Sequence, residues 1–213
     1  PGFPNEQFWF VDACRHTPAI ARRFEELAGA LKLDVPTSGG EISPLILAAS
    51  TGETAYARPG GRTLFYEALE WAFAGGAATG PKDDIPNWHI SVNQLIEHLP
   101  KRVNDLALEH DAEQNIEFAG KIGNIILQHL DEPPEVNLTI SLMPDGAAAK
   151  STGKLSRNGT DVVISDHTDW PLQLAGKAGL YIIEIEADDP FQNIARPANI
   201  EPPSCEEILT VTT

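Results

Sequence analysis

Positive charge is scarce in this chain. Fifteen lysines and arginines stand against 31 aspartates and glutamates, a net charge of −16. Such a surface repels phosphate backbones, which argues against nucleic acid as a partner. Cysteine is scarcer still: Cys14 and Cys205 are the only two, far apart in 213 residues. No disulfide framework is indicated, and a reducing, cytoplasmic setting is the default. Long hydrophobic runs are missing. No apolar stretch approaches the roughly 20 residues of a membrane helix, and no segment reads as a signal peptide, so no membrane partner is expected. Neither a metal nor a cofactor is expected. The metal-capable run Asp166-His167-Thr168-Asp169 has the composition of a solvated turn between strands. The sequons at Asn137 and Asn158 mean nothing without secretion.

What is present begins at the N-terminus. Phe8-Trp9-Phe10-Val11 reads as a buried-type strand running into the small polar turn Asp12-Ala13-Cys14-Arg15. A cysteine at the end of such a strand stands at the rim of a sheet, where ligands of open α/β sheets bind. Taken alone, a lone cysteine is more often a small core residue. Residues 18–33 have helical periodicity, and 36–40 form a loop. Pro44 to Ser50 is an apolar run suited to a strand covered on both faces. Thr51 to Thr54 turns the chain, Ala55 to Arg58 extends it, and Pro59-Gly60-Gly61 breaks it. A helix is predicted over 62–74, ended by Gly75-Gly76. Another spans 92–109, with Ser91 and Gln94 as a capping pair and Pro100 predicting a kink or break. Residues 111–130 hold one more strand or helix.

The period changes after Asp131-Glu132-Pro133-Pro134, a stiff boundary. Val136, Leu138, Ile140 and Leu142 alternate with polar residues, as in a half-buried strand. Residues 162–164, 172–174 and 180–185 are further strands, with turns at Asn158-Gly159 and 176–179. Residues 188–203 read as irregular, and 208–211 as a last strand. Short strands at this spacing suggest a small β-sandwich. The domains are thus expected at 1–131 and 132–213. Trp9 and Trp71 are expected in the core; Trp88 and Trp170 are expected to pack one domain on the other.

The first part resembles the caspase-like cysteine peptidases, and the bacterial members in particular, over roughly residues 5–130. In that family an apolar strand leads to Gln or Asp, a small residue, Cys, and often Arg or His; here the run is Asp12-Ala13-Cys14-Arg15. A strand close to Leu47-Ala48-Ala49-Ser50, a glycine turn at Gly52, an "Ala-Tyr" pair at Ala55-Tyr56 and a helix like Leu64-Phe65-Tyr66-Glu67-Ala68-Leu69 follow in the family's order. The resemblance implies an α/β caspase-like (caspase–hemoglobinase) fold, C-terminal portion, followed by the β-domain. It implies a cysteine endopeptidase with Cys14 as nucleophile, a polypeptide substrate, and a substrate-binding wall of Asp12, Ser50, Ala55, Tyr56, Ala57 and Arg58.

Two features qualify that expectation. The family's activating histidine lies about 50 residues before the cysteine, yet only thirteen residues precede Cys14. None of His16, His89, His98, His110, His129 and His167 stands in its place. The chain is therefore expected to be the later portion of a longer peptidase whose N-terminal portion is the partner supplying the histidine. On specificity, the resemblance assigns the position two before the nucleophile to the primary pocket. Asp12 there, as in metacaspases and paracaspases, implies cleavage after Arg or Lys, because a carboxylate pairs bidentately with guanidinium. Arg58 stands near where caspases carry an aspartate-binding arginine, and it would neutralise Asp12 or lie on the surface. The alternatives are a non-catalytic caspase-like scaffold that binds a partner, and an unrelated α/β enzyme with a structural cysteine.

Overall fold

A computed structural model describes residues 6–14, 42–58, 60–82, 85–144, 146–166, 169–203 and 205–212. The helix expected over 18–33, the loop at 36–40, His16 and His167 lie outside the described residues. The described chain is predominantly β, with twelve strands and two α-helices. It divides into two compact units, Pro1–Ala72 with Ser91–Leu127, and Phe73–Ile90 with Gln128–Thr213. The change of unit falls at 127/128 rather than 131/132, and the second unit also takes in residues 73–90. Those residues read from sequence only as a helix end and a connection. Among the described residues no helix is long and apolar enough to cross a membrane.

In the first unit, β1 (Trp9–Val11) pairs in parallel with β2 (Ser43–Leu47), Val11 opposite Leu47. Helix α1 covers Leu64–Trp71 and α2 covers Val92–Leu108. Strand β4 (Glu117–Lys121) closes the sheet antiparallel to β2, giving the order β1-β2-β4. Among the described residues β1 is thus an edge strand, and Trp9 is 48 % exposed. The expectations of a buried-type strand and a core Trp9 are corrected on that ground: an edge position covers less of the strand than an inner one. Strands β3 (His89–Ser91) and β5 (Ile126–His129) pair with each other, and the unit boundary falls inside both. Residues 111–130 thus supply both β4 and β5, two strands where one element was expected.

Helix α1 starts at Thr63, whose hydroxyl accepts the Tyr66 N–H at 3.1 Å, a side-chain N-cap. It buries Leu64, Phe65 and Ala68. Helix α2 buries Val92, Leu95, Leu99, Val103 and Leu106 along one stripe and runs through Pro100 without a break. An interior proline costs about 3 kcal/mol. Five buried aliphatic side chains contribute roughly 1.5–3 kcal/mol each relative to exposure, so packing outweighs the expected break. The Ser91 hydroxyl bonds the Gln94 side chain rather than a backbone N–H. The capping pair meets, but it caps no backbone group. Trp71 is half-buried, with the Arg102 guanidinium 5.6 Å over its ring.

The second unit holds two sheets. One has the order β11-β10-β7-β8, from β7 (Ser151–Arg157), β8 (Thr160–Ser165), β10 (Gly179–Ala187) and β11 (Ile194–Ile200). The other has the order β12-β6-β9, from β6 (Glu135–Met143), β9 (Leu172–Lys177) and β12 (Cys205–Thr210). Alternation sends Val136, Leu138, Ile140 and Leu142 of β6 and Tyr181, Ile183 and Ile185 of β10 inward. The sheets meet at Gly153 of β7, where an added Cβ would lie 2.9 Å from Leu172 and from Trp170. Asn158 and Gly159, both at positive φ, form the two-residue turn from β7 to β8.

Strand β11 crosses the region that reads as irregular. Its Pro197 pairs with Ile182 on a sheet edge, the position in a sheet where proline is tolerated. Trp88 lies against Gly80, and Trp170 against Gly153, with its indole N–H on the Ser151 carbonyl at 2.9 Å. Both contacts are internal to the second unit. Among charged groups, the Glu184 and Asp161 carboxylates that Lys154 bonds raise its ammonium pKa above the ordinary 10.5.

One glycine generates a test. Gly120 in β4 has φ +81°, and a Cβ there would stand 2.1 Å from the Ser43 carbonyl oxygen. Gly120→Ala should cost at least about 2 kcal/mol, because strain and a backbone clash add. Urea denaturation reads this as a fall in midpoint; an unchanged midpoint would contradict the β2–β4 register.

Candidate functional site

The open end of the first unit is built where β1 and β2 stop. The Ala48 N–H bonds the Val11 carbonyl at 2.9 Å, which extends the parallel pairing one residue past β2. Beyond it the chains diverge into the segments 12–14 and 50–58. Cys14 is exposed, and its thiol donates to the Ala55 carbonyl at 3.4 Å. Asp12 is also exposed, and its carboxylate accepts the Thr63 hydroxyl, the same hydroxyl that caps α1. Two-residue alternation does not govern this pair, because β1 ends at Val11 and both residues lie beyond it.

Residues 55–58 run extended against the start of α1. The Leu64 N–H bonds the Tyr56 carbonyl at 3.0 Å, and the Arg58 N–H bonds the Arg62 carbonyl at 3.3 Å. Ala57 bridges Thr63 antiparallel between those bonds. In that pattern the Ala57 N–H and C=O point away from Thr63. Among the described residues neither has a partner, and Ala57 is exposed. Arg58 pairs with Glu67 at 3.1 Å and approaches Glu109 at 3.9 Å. Among the described residues it makes no pair with Asp12.

A cleft of about 320 Å³ lies along the same segment. Tyr56, Ala57 and Arg58 form one side, and His110, Asp111 and Ala112 the other. The second side is the turn just past the end of α2. The His110 and Ala112 N–H groups both bond the Ala107 carbonyl, with Asp111 at φ +51° between them. Neither Cys14 nor Asp12 lines this cleft. Ser50 stands apart from it. Its hydroxyl donates to the Asn115 carbonyl at 3.2 Å, and its N–H bonds the same oxygen at 2.8 Å.

Of the residues singled out from the sequence, Cys14 and Ala55 are in direct contact, with Tyr56, Ala57 and Arg58 following on the same segment. Asp12 is tied to Thr63 and Ser50 to Asn115. Four residues that organise the site were not singled out. Gln114 is 1 % exposed; its side-chain amide donates to the Ala48 carbonyl at 2.8 Å and accepts the Tyr56 N–H at 2.9 Å. Asn115 meets Glu53 twice, N–H to Oε2 at 3.3 Å and Nδ2 to Oε1 at 3.2 Å. Thr63 had a readable signal, a threonine just before an apolar helical run. Gln114, Asn115 and Glu53 had none: two amides in a short connection and an acid in a turn are ordinary loop residues.

Among the described residues no three His, Cys, Asp or Glu side chains converge as a metal would need. No family model matches the chain, and no curated protein matches it. The solved structures it resembles include the Bacillus anthracis TIE protein, at 11 % identity and a TM-score of 0.28, over 46 % of this chain and 21 % of that one. The chain thus spans about a fifth of that structure's length, and a likeness so slight carries no argument about fold or function.

Removing the Thr63 hydroxyl takes away both the α1 cap and the Asp12 bond. Thr63→Ala should lower stability by about 1 kcal/mol. Asp12→Ala, at an exposed position, should change it by no more than about 0.5 kcal/mol. Thermal unfolding of both variants checks this; equal losses would mean that the Asp12 bond, not the cap, holds the helix start.

Proposed function

We propose that the chain is the nucleophile-bearing portion of a caspase-like cysteine endopeptidase that cuts after Arg or Lys. The observation that carries the reading is the meeting of Cys14 with the 55–58 segment. An exposed thiol lies beside an extended stretch whose Ala57 N–H and C=O face outward. Such a stretch receives a peptide as an added strand, and this one delivers the peptide next to a sulfur. The family-like order of parallel β1 and β2, glycine turn, Ala-Tyr pair and α1 is consistent with a caspase-like α/β arrangement of the first unit. A reducing, cytoplasmic setting keeps the thiol free.

In this reading Cys14 attacks the scissile carbonyl as thiolate and forms a thioester as the amine leaves. Water then hydrolyses the thioester and restores the thiol. A general base must hold the thiol's proton and return one to the amine. The family's histidine for that step belongs to the N-terminal portion. Asp12, free of Arg58, offers a carboxylate to a basic side chain. Its Thr63 bond uses one acceptor site of the carboxylate and leaves sites on both oxygens for the guanidinium.

A second reading has one observation in its favour. Among the described residues the thiol's partner is a backbone carbonyl and not a histidine. A non-catalytic scaffold that binds a partner along 55–58 would look the same.

The test uses the chain joined to its N-terminal portion and a peptide library. Cys14→Ala should abolish cleavage and leave the unfolding midpoint within about 1 kcal/mol of the parent. Asp12→Asn should reduce cleavage after Arg and Lys by about tenfold or more, as expected for a lost charge-assisted pair. Retained cleavage in Cys14→Ala would place the nucleophile elsewhere. A library preference for aspartate would move recognition to Arg58.

A further inference from the structure

We infer that Gln114 is a positioning residue for the peptide-receiving segment, setting its distance from the end of β2 through the Tyr56 amide; this rests on the peptidase reading above. Gln114 is buried, and its amide uses one donor and its acceptor on opposite partners, the Ala48 carbonyl and the Tyr56 N–H. Ala48 continues β2, which pairs with β1, and β1 leads to Cys14. Tyr56 lies between Ala55, which accepts the thiol bond, and Ala57, which carries the outward-facing backbone pair. One side chain therefore spans the gap between the frame that holds the nucleophile and the strand that would receive the substrate.

The neighbouring residue supports this. Asn115 takes both Ser50 bonds on its carbonyl and both Glu53 oxygens on its N–H and amide. Between them, Gln114 and Asn115 bond Ala48, Ser50, Glu53 and Tyr56, beside the turn's own Glu53 N–H to Ser50 carbonyl bond and the Thr51 hydroxyl bond to Glu117. Tyr56 is 40 % exposed, while its N–H ends on a buried group. Its two backbone groups are held on opposite sides, the N–H by Gln114 and the carbonyl by the Leu64 N–H at 3.0 Å.

A glutamate at position 114 separates positioning from bulk stability. An ionised carboxylate accepts the Tyr56 N–H but cannot donate to the Ala48 carbonyl. A protonated carboxyl does both, as the amide does. Burial raises a carboxyl's pKa, so Gln114→Glu should recover the native arrangement as pH falls. The titratable groups nearby in sequence and along the cleft (Glu53, His110, Asp111, Glu113 and Glu117) are common to the native chain and the variants. A comparison at each pH therefore cancels them.

The experiment measures the second-order rates at which Cys14 reacts with iodoacetamide and with a peptidyl-arginyl chloromethyl ketone, each divided by the rate with N-acetylcysteine. The ratio of the two normalised rates cancels the thiolate fraction and leaves the contribution of peptide binding. In the native chain this ratio should exceed one at every pH. In Gln114→Leu, which removes both bonds of the amide, it should fall about tenfold or more. In Gln114→Glu it should fall similarly near pH 8 and return to within about twofold of native near pH 5, as the raised carboxyl pKa requires. A native ratio above one that neither variant changes would overturn the role of Gln114 and leave the peptidase reading standing. A native ratio of one would instead overturn that reading, and the inference with it. Amide exchange at Tyr56 tests the latch without any variant: protection is expected, and exchange at the rate of a free amide would overturn it even if the leucine variant does not fold.

Discussion

The buried amide of Gln114 is the interaction on which the open end of the first unit depends. Each of its two bonds is worth only about 0.5–1.5 kcal/mol net. Its effect comes from position rather than strength. One bond ends on the carbonyl of Ala48 beside β1, the other on the N–H that begins the extended segment. With both made, the Cys14 thiol reaches the Ala55 carbonyl, and Ala57 turns its backbone groups outward. With either unmade, a buried polar group loses its partner at a cost of about 1–3 kcal/mol, and the segment loses its tie through Gln114 to the end of β2. Thr63 holds the segment's other side, at the start of α1. It caps α1, takes the Asp12 bond and bridges Ala57, so the helix start and the segment move together.

Much of the local structure was legible because it follows from short-range rules. The two helices appear in α1 and α2 because their apolar stripes have a helical period. Strands β6, β9 and β10 appear because theirs alternates, and the Asn158-Gly159 turn joins two strands as that dipeptide does. What could not be read depends on partners distant in sequence. Strand β7, with the sequence Ser-Thr-Gly-Lys-Leu-Ser-Arg, has no apolar run, and its inward glycine makes sense only against Leu172 and Trp170. Strand β11 survives its proline because it is an edge, a property of the sheet and not of the segment. Pro100 fails to break α2 because burial outweighs the lost backbone bond. Trp9 lies exposed on an edge strand that a local reading takes for buried.

The candidate site divides the same way. Cys14 and the Ala55–Arg58 segment announce themselves by chemistry and pattern, and the fold brings them together. Asp12 and Arg58 do not neutralise each other: Asp12 goes to Thr63, and Arg58 to Glu67 and Glu109. No sequence rule foresees that, because the two acids that take Arg58 come from α1 and from just beyond α2. Gln114 and Asn115 are invisible for the same reason. They act through backbone groups some sixty residues earlier, and a buried amide looks like any loop amide until its partners are known.

The central claim is that Cys14 attacks a peptide laid along Ala55–Arg58. The most direct measurement is a crystal structure of the protein after reaction with a peptidyl-arginyl chloromethyl ketone. The account predicts a covalent bond from Cys14 Sγ, the peptide paired with the N–H and C=O of Ala57, and the arginine guanidinium on the Asp12 carboxylate. An adduct with the peptide lying away from Ala57, or no adduct at Cys14 while the chain remains folded, would contradict it.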